Sequence, residues 1–537
     1  MPNKSDKNNL ADARQKCVER LIEEAIRDED GMMKIVRQIC SRYQIDCIDL
    51  KKSQLNDTYG RMVEQKRIKS SDNFENLVRK RRIRTASGVS VISVMTKPLS
   101  CPGQCTYCPS QNNMPKSYLD NQPAAMRGVM FDFDPFEQVR ARLEMLERMG
   151  HDISKNEVII LGGTFSSHPT HYQELFVKRI FDAFNVYGAE SGKIADTLEA
   201  AKKTNETASC RMIGLTIETR PDYVTYEECQ WLRYLGVTRV ELGVQSVFDD
   251  VLTKVKRGHD VARTKLATKI LRQAGFKIVY HMMPGLPGAT IDRDVAMFKQ
   301  LFDEPGFYPD HLKIYPTVVL ENSQLYDDWR AGRFIPYTEA EVIEVLSKIK
   351  PKVPEWVRIV RVMRDIPEDS VVAGVKSSNL RQLIHARGVK CRCIRCREPR
   401  TASHKNQISK LQFQRYDVDG GREVFISANS EDRKYIYGLV RLFLTDDNNE
   451  AAKFFPELKN GAVVRELHTY GQVTGVGKSG GKTQHKGYGK QLMEAAEKEA
   501  KEVGFKKMAV IAGVGVRQYY AKIGYRLEGE YMVKDLL

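Results

Sequence analysis

Short apolar runs and longer amphipathic stretches take turns along the middle of the chain. The runs at 89–95, 157–161, 212–217, 239–244, 277–283, 311–315 and 358–363 read as strands. Between them, stretches such as 135–149, 226–235 and 262–274 carry apolar positions at helical spacing. A strand followed by a helix, repeated, predicts an α/β fold with a parallel sheet, because parallel neighbours need a crossover and the helix supplies it. The rhythm fits a closed or partial barrel and equally a doubly wound sheet. Motif residues follow directly after several of these strands, the end at which barrels carry their sites.

The pattern differs at both ends. Residues 11–70 are charged and read as helical, with Leu21, Ile22, Ala25 and Ile26 on one apolar stripe and Met32, Met33, Ile35, Val36 and Ile39 on another. After about residue 416, the segments 422–426, 437–444 and 462–468 read as antiparallel strands. A glycine-bearing loop, a helix at 490–503, a strand at 507–512 and a short helix from Val516 follow. These breaks divide the 537 residues into a basic helical module (1–74), a βα domain (75–384), a cysteine-rich connector (385–415) and a compact α+β domain (416–537). One core would be too small for such a chain.

Charge adds a partner class. Lysine and arginine number 85 against 69 acids, and the excess is uneven. Lys80, Arg81, Arg82 and Arg84 cluster behind Arg61, Lys66, Arg67 and Lys69. Such a stretch neutralises phosphates and draws in a polyanion, although a solvated basic face is the plainer reading. No run approaches the roughly 20 apolar residues of a membrane span, and Met1–Leu10 carries no apolar signal core, so a cytoplasmic location without a membrane partner is expected.

Six of eleven cysteines fall into two tight groups, which without a secretory signal favours metal over disulfides. Cys101, Cys105 and Cys108 have CxxxCxxC spacing. Three thiolates on one loop hold three irons of a [4Fe–4S] cluster and leave the fourth open to a small ligand. A structural zinc loop is the other reading; the loop's place after a strand and the glycine motifs at later strand ends weigh against it. Cys391, Cys393 and Cys396 form a CxCxxC set that suits structural zinc with one further ligand. His385 is the first choice and His404 the second; a second iron–sulfur cluster is also compatible. Arg392, Arg395, Arg397 and Arg400 make this loop basic enough to touch RNA phosphates.

The CxxxCxxC loop after the first barrel strand resembles the radical S-adenosylmethionine (SAM) superfamily. Gly162-Gly163-Thr164 resembles its glycine motif, which meets the amino group of SAM. Glu218-Thr219-Arg220, Gly243-Val244-Gln245-Ser246 and Lys256-Arg257-Gly258-His259 follow later strands. The resemblance implies a partial TIM-type barrel, a [4Fe–4S] cluster and SAM, with Gly162, Gly163, Thr164, Glu218 and Gln245 lining the cofactor. A Glu–Arg pair such as Glu218 and Arg220 is, taken alone, more often structural.

The turn Gln484-His485-Lys486-Gly487-Tyr488-Gly489-Lys490 precedes an amphipathic helix. Free N–H groups there form an anion site that glycines let a pyrophosphate approach. With its flanking strands and Tyr519-Tyr520 beyond, the segment resembles the GNAT acetyltransferases. That implies acetyl-CoA, with the backbone of Glu466, Leu467 and His468 along its pantetheine arm and Gln484, Gly487, Tyr488 and Gly489 on its pyrophosphate. Tyr519 and Tyr520 become the catalytic candidates, Tyr520 near the CoA sulfur; ordinary packing is the reading for an arbitrary tyrosine pair.

Radical SAM followed by GNAT resembles the family of Elongator catalytic subunits, from about residue 75 onward. Glu241-Leu242-Gly243-Val244-Gln245-Ser246, His281-Met282-Met283-Pro284, Lys313-Ile314-Tyr315-Pro316-Thr317 and Arg465-Glu466-Leu467-His468 also carry the match. The resemblance implies addition of the acetyl carbon to a tRNA wobble uridine, giving 5-carboxymethyluridine. The anticodon stem-loop and an electron donor are the implied partners, and Lys155 an acetyl-CoA contact. Eukaryotic members have a longer first cysteine gap and fewer cysteines in the second group, so this chain reads as a prokaryotic type acting without accessory subunits. Its oligomeric state stays open. Two rival readings use the same residues: a protein lysine acetyltransferase with a structural cluster, and a non-catalytic tRNA-binding scaffold.

Overall fold

The structure is a computed structural model that describes residues 4–78, 88–189, 192–399, 410–446, 449–470 and 487–536. It divides into two compact units: residues 1–90 with 140–155, and residues 91–139 with 156–537. No helix among the described residues is long and apolar enough to cross a membrane.

The first unit is built on helices Lys4–Glu23, Glu29–Tyr43, Lys52–Glu64 and Asp72–Val78. The second starts where the Asp28 carboxylate accepts from the Gly31 N–H at 2.7 Å, which satisfies a donor the helix cannot pair. Both apolar stripes read from the sequence close on one core, with Leu21, Met32, Ile35, Val36 and Ile39 buried beside Leu55, Met62 and Phe74. Arg61, Lys66, Arg67 and Lys69 stand exposed. Lys80, Arg81, Arg82 and Arg84 lie outside the described residues.

A seven-stranded sheet organises the βα part. Its strands are β1 (Ser90–Met95), β2 (Lys155–Leu161), β3 (Arg211–Thr219), β4 (Arg239–Gln245), β5 (Lys277–Met282), β6 (His311–Ile314) and, after the short β7 (Val319–Leu320), β8 (Arg358–Arg361). β9 (Val371–Ala373) pairs only with β7. The sheet order is β1-β2-β3-β4-β5-β6-β8, with β3 through β8 parallel. Chain order equals spatial order, with none of the reversal that defines a doubly wound sheet. The edges do not meet, so the sheet is a half-barrel. All C-terminal strand tips therefore gather at one mouth.

The C-terminal part is a second seven-stranded sheet. Its members are β10 (Leu411–Val418), β11 (Gly421–Asn429), β12 (Ile436–Thr445), β13 (Gly461–Thr469), β14 (Lys507–Val510), β15 (Arg526–Glu528) and β16 (Tyr531–Asp535), in the order β10-β11-β12-β13-β14-β16-β15. The helix Tyr488–Val503 lays Leu492, Met493, Ala496 and Ala500 on Val424, Val440, Leu442 and Val464. β10 starts inside the stretch read as connector: its alternation is mostly polar (Gln412, Gln414, Arg415), as befits an edge strand, so the pattern there is faint.

Candidate active site

The loop after β1 brings Cys101, Cys105 and Cys108 to the mouth. Cys105 and Tyr107 are buried with Val251, Val255, Met283 and Leu286, and Cys108 and Tyr315 pack against them. Burial pushes the Cys108 thiol up to about 11. Two guanidinium groups reach the same loop. Arg257 donates to the Gly243 carbonyl at 3.0 Å and to the Cys105 sulfur at 3.4 Å. Arg220 lies so close that a Cβ on Gly103 would stand 2.5 Å from its Nη1, and 3.6 and 3.7 Å from the sulfurs of Cys101 and Cys105. The same guanidinium would meet a Cβ on Gly258 at 2.7 Å. Glycine is thus required twice for arginine to reach the loop. Three sulfurs beside two guanidinium groups, on a loop whose Gly103 has no room for a side chain, suit an anionic iron–sulfur cluster.

The glycine motif closes on the same loop. Gly162, at φ +141, would place a Cβ 1.9 Å from Thr96 Oγ1, and Gly163 sits at φ +93. Buried Thr164 brings its hydroxyl to 3.7 Å from the Cys101 sulfur. At the end of β4, Gln245 adopts φ +72, and its buried Oε1 has no hydrogen-bond partner among the described residues. A left-handed non-glycine residue and an unsatisfied acceptor at a strand tip are compatible with a ligand there.

Below the loop lies a charged layer of Glu218, Glu241, His281 and Lys313, residues that stand in separate sequence motifs and that the fold joins. Glu218 on β3 accepts from the Tyr118 hydroxyl at 2.7 Å. Glu241 on β4 accepts from His281 Nε2 of β5 at 2.8 Å and from the Lys313 ammonium of β6. Burial alone pushes the Glu241 carboxyl up, but Lys313 and His281 hold it well below the usual range, so it stays charged. The plainer reading of that motif, a structural Glu218–Arg220 pair, is not what the fold makes of it: Arg220 grips Asp222 through two bonds of 2.9 and 2.8 Å.

In the C-terminal sheet, β13 and β14 run parallel from Gly461↔Lys507 to Val464↔Val510, and there β14 ends. Beyond that point β13 continues through Glu466, Leu467 and His468 with one edge unpaired among the described residues, a splay that could offer backbone groups to a ligand. Leu467 turns to the helix side. His468 Nε2 is buried without a partner among the described residues, and burial lowers the imidazole's proton affinity. Gly487, at φ +76, precedes the helix that Tyr488 and Gly489 open, while Gln484 lies outside the described residues. The Tyr519 hydroxyl reaches this turn, 2.8 Å from where a Cβ on Gly489 would stand. Tyr520 is buried beneath it, its hydroxyl pushed up by burial and by the nearby Tyr519 and Glu466. Lys155 opens β2 and is half-buried in the compact unit of the N-terminal helices.

Buried ion pairs join β13 to the half-barrel. Arg465 binds Asp310 at 2.6 and 2.9 Å and Glu423 at 2.6 Å. Arg441 bridges Glu466 at 2.9 Å and Asp310 at 3.4 Å, and Lys277 stands 3.6 Å from Glu466. Arg239, Lys277, His311 and Arg358 each open their strand. The acetyltransferase-like sheet therefore meets the N-terminal ends of the barrel strands, opposite the cysteine loop.

The second cysteine group is tighter. The sulfurs of Cys391, Cys393 and Cys396 lie within 4.8 Å of one another, and His385 Nε2 is 4.0 Å from Cys396. Hydrogen bonds from Cys391 and Cys396 hold the Cys393 thiol far below the ordinary range. Thiolates on one tetrahedral ion are about 3.8 Å apart, given metal–sulfur bonds near 2.3 Å. The set fits a metal centre, with His385 as fourth donor; His404 lies outside the described residues. Cys101, Cys105 and Cys108 form no such tight group, as suits ligands of different irons. The loop's arginines face inward more than expected: Arg397 is buried, donating to Asn429 at 3.0 Å and to the Glu355 carbonyl at 2.6 Å, and Arg395 pairs with Glu398 at 2.9 Å. Arg400 lies outside the described residues.

Comparison with known proteins fits this geometry. The profile of the Radical SAM superfamily matches residues 98–301, that of the Radical_SAM C-terminal domain residues 309–389, and that of the Acetyltransferase (GNAT) family residues 469–525. The chain is 44% identical over 480 residues, 86% of its length and 88% of the relative's, to the tRNA uridine(34) acetyltransferase of Methanocaldococcus infernus. It is 41% identical over 476 residues to Elongator complex protein 3 of Homo sapiens, covering 84% of this chain and 85% of the human one. The solved structure of the archaeal Methanocaldococcus infernus Elp3, lacking its N-terminal residues 1–46, superposes with a TM-score of 0.71 at 40% identity, over 84% of this chain and 100% of that one. With a cysteine loop at the mouth of a half-barrel and a splayed acetyltransferase sheet at its other end, the chain belongs to the radical SAM and GNAT family of the tRNA uridine(34) acetyltransferases and Elongator complex protein 3.

Proposed function

We propose that this protein converts the wobble uridine of tRNA to 5-carboxymethyluridine, taking the two added carbons from acetyl-CoA. The observation that carries the reading is the joining, within one compact unit, of a cation-flanked cysteine loop and a splayed acetyltransferase strand. The names of the relatives, tRNA uridine(34) acetyltransferase and Elongator complex protein 3, support tRNA as substrate.

In this reading Cys101, Cys105 and Cys108 hold a [4Fe–4S] cluster, and Gly162, Gly163, Thr164, Glu218 and Gln245 line the SAM beside it. Cluster and SAM together supply, when bound, a 5′-deoxyadenosyl radical able to take hydrogen from an acetyl methyl group. Glu466, Leu467 and His468 hold the pantetheine arm, Gln484, Gly487, Tyr488 and Gly489 the pyrophosphate, and Lys155 a further part of acetyl-CoA. The Tyr519 and Tyr520 hydroxyls, raised by burial, keep their protons and can serve a leaving thiolate. An acetyl group at the base of β5 starts about 17 Å from the strand tips, five residues at roughly 3.3 Å each, so the arm must span the barrel interior. Thioester hydrolysis ends the sequence.

Zinc on Cys391, Cys393, Cys396 and His385 would pin the connector. Lys80, Arg81, Arg82 and Arg84, with the exposed Arg61, Lys66, Arg67 and Lys69, would hold the anticodon stem-loop. The enzyme would work in the cytoplasm with an electron donor and without accessory subunits, its domains dividing near 75, 385 and 416. Anaerobic reaction with methyl-labelled acetyl-CoA, SAM, reductant and tRNA tests the reading by mass spectrometry of the wobble uridine. Label should enter that base in step with deoxyadenosine. Cys105→Ser should abolish both and leave tRNA binding intact. Label on protein lysines in the absence of SAM would instead mark an ordinary lysine acetyltransferase.

A further inference from the structure

Joining an acetyl carbon to carbon 5 of a uracil leaves that carbon saturated, still bearing its hydrogen, and puts the unpaired electron on carbon 6. Restoring the double bond requires loss of one electron from carbon 6 and one proton from carbon 5. A base must therefore stand in the barrel mouth where the uracil is exposed to the radical.

We infer that His281, oriented by Glu241, is the base that takes the proton from carbon 5. The inference rests on the proposed carboxymethyl chemistry. Glu241 is 2% exposed and accepts from both Lys313 and His281 Nε2, the latter at 2.8 Å. A carboxylate only accepts, so Nε2 carries a ring proton, and the one neutral tautomer this contact allows presents its lone pair on Nδ1. Nδ1 has no hydrogen-bond partner among the described residues, whereas Nε2 is locked. A buried carboxylate fixing the tautomer of a histidine whose other nitrogen is open is the arrangement of a general base.

Placement agrees. His281 is the fifth of six residues in β5, at the tip that opens on the mouth. Its ring packs edge-on against Tyr315 at 5.4 Å, and Tyr315 packs against the buried cluster that includes Cys105 of the cysteine loop. The groups facing it are Glu241 of β4, Lys313 of β6, Glu218 of β3 with its Tyr118 partner, and Tyr315. Glu218, Glu241 and His281 also lie close enough to hold a cation. The Lys313 ammonium on Glu241 already supplies that positive charge, which favours acid–base work over metal binding.

The step balances. Carbon 5 loses a proton to Nδ1, carbon 6 gives its electron to a one-electron acceptor of the iron–sulfur class, and the pair left behind closes the carbon 5–carbon 6 bond. The imidazolium formed is stabilised by Glu241. Glu241 is a positioning residue; His281 touches the reacting carbon.

The test compares wild type with His281→Gln in anaerobic turnover with SAM, dithionite, acetyl-CoA and tRNA, reading deoxyadenosine and the modified base together. In the variant deoxyadenosine should still form, while 5-carboxymethyluridine per deoxyadenosine falls by about 10²-fold. The stalled adduct, reduced by dithionite, should appear as the 5,6-dihydro base, two mass units heavier. Uridine deuterated at carbon 5 should then show an isotope effect absent from wild type. SAM and tRNA binding by equilibrium dialysis report whether the variant is folded. Glu241→Gln offers a second handle: an amide can donate to Nε2 as well as accept from it, so the tautomer is no longer fixed and 5-carboxymethyluridine per deoxyadenosine should fall while deoxyadenosine still forms. An unchanged ratio of unsaturated product in His281→Gln, or a variant defective in SAM binding alone, overturns the inference. A wild-type enzyme that never yields 5-carboxymethyluridine overturns instead the function on which it rests.

Discussion

Gly162 shows how little freedom a single residue has in this mouth. Its φ of +141 suits no L side chain, and a Cβ there would overlap Thr96 Oγ1 at 1.9 Å. We expect Gly162→Ala to cost about 1–3 kcal/mol in urea unfolding and to remove SAM-dependent deoxyadenosine formation; a variant with wild-type stability and cleavage would show that the strand end tolerates displacement. Gly162-Gly163-Thr164 was legible in the sequence because the constraint is local: a glycine pair after an apolar run. Arg220 and Arg257 were legible only as members of short motifs. That they converge on one cysteine loop depends on β3 and β4 being neighbours.

At the scale of elements, β13 and the second cysteine group show what spacing can and cannot tell. The CxCxxC spacing brings three sulfurs together because the short helix Ile394–Arg397 starts right after Cys393, and the Ile394 N–H donates to the Val357 carbonyl at 2.9 Å beside β8. His385 comes from a different helix, and only its packing puts it 4.0 Å from Cys396. Cys393→Ser should lower bound metal, read by elemental mass spectrometry, from about one ion per chain at this centre toward zero, and should lower the unfolding temperature, since site and connector fold together. Full metal content in the variant would contradict a centre there. β10 escaped notice because an edge strand alternates polar residues that a strand signal does not reward.

For the whole molecule, the decisive feature is the buried charge between half-barrel and β13. Arg465→Ala leaves Asp310 and Glu423 buried without their main partner, and breaking such a pair costs about 3–5 kcal/mol; equilibrium unfolding in urea should show the loss. A change under about 1 kcal/mol would mean water replaces the guanidinium. The same network sets acid stability. Glu157 is pushed up by burial but pulled further down by Arg239 and Lys277, to about 2 from an ordinary 4.5. A carboxyl depressed in the folded state stabilises above its unfolded value, and that stability is lost as pH falls through the folded one. Stability should accordingly decline between about pH 4.5 and 2, and Arg239→Gln should shrink that decline in a urea series across this range.

Apolar spacing along the chain was enough to determine the two kinds of sheet, the helices between strands, the paired cysteine sets and the glycine turns, because each depends on contacts among residues a few positions apart. It left the half-barrel and the doubly wound sheet equally open, and it said nothing of which barrel end β13 would meet. Tertiary structure decided those points and with them the chemistry. Strand order aligned Glu218, Glu241, His281 and Lys313 in one layer, and domain packing turned Arg397 inward. Charge pairing is settled by proximity in space, which residues far apart in the chain acquire only when the sheets close on one another.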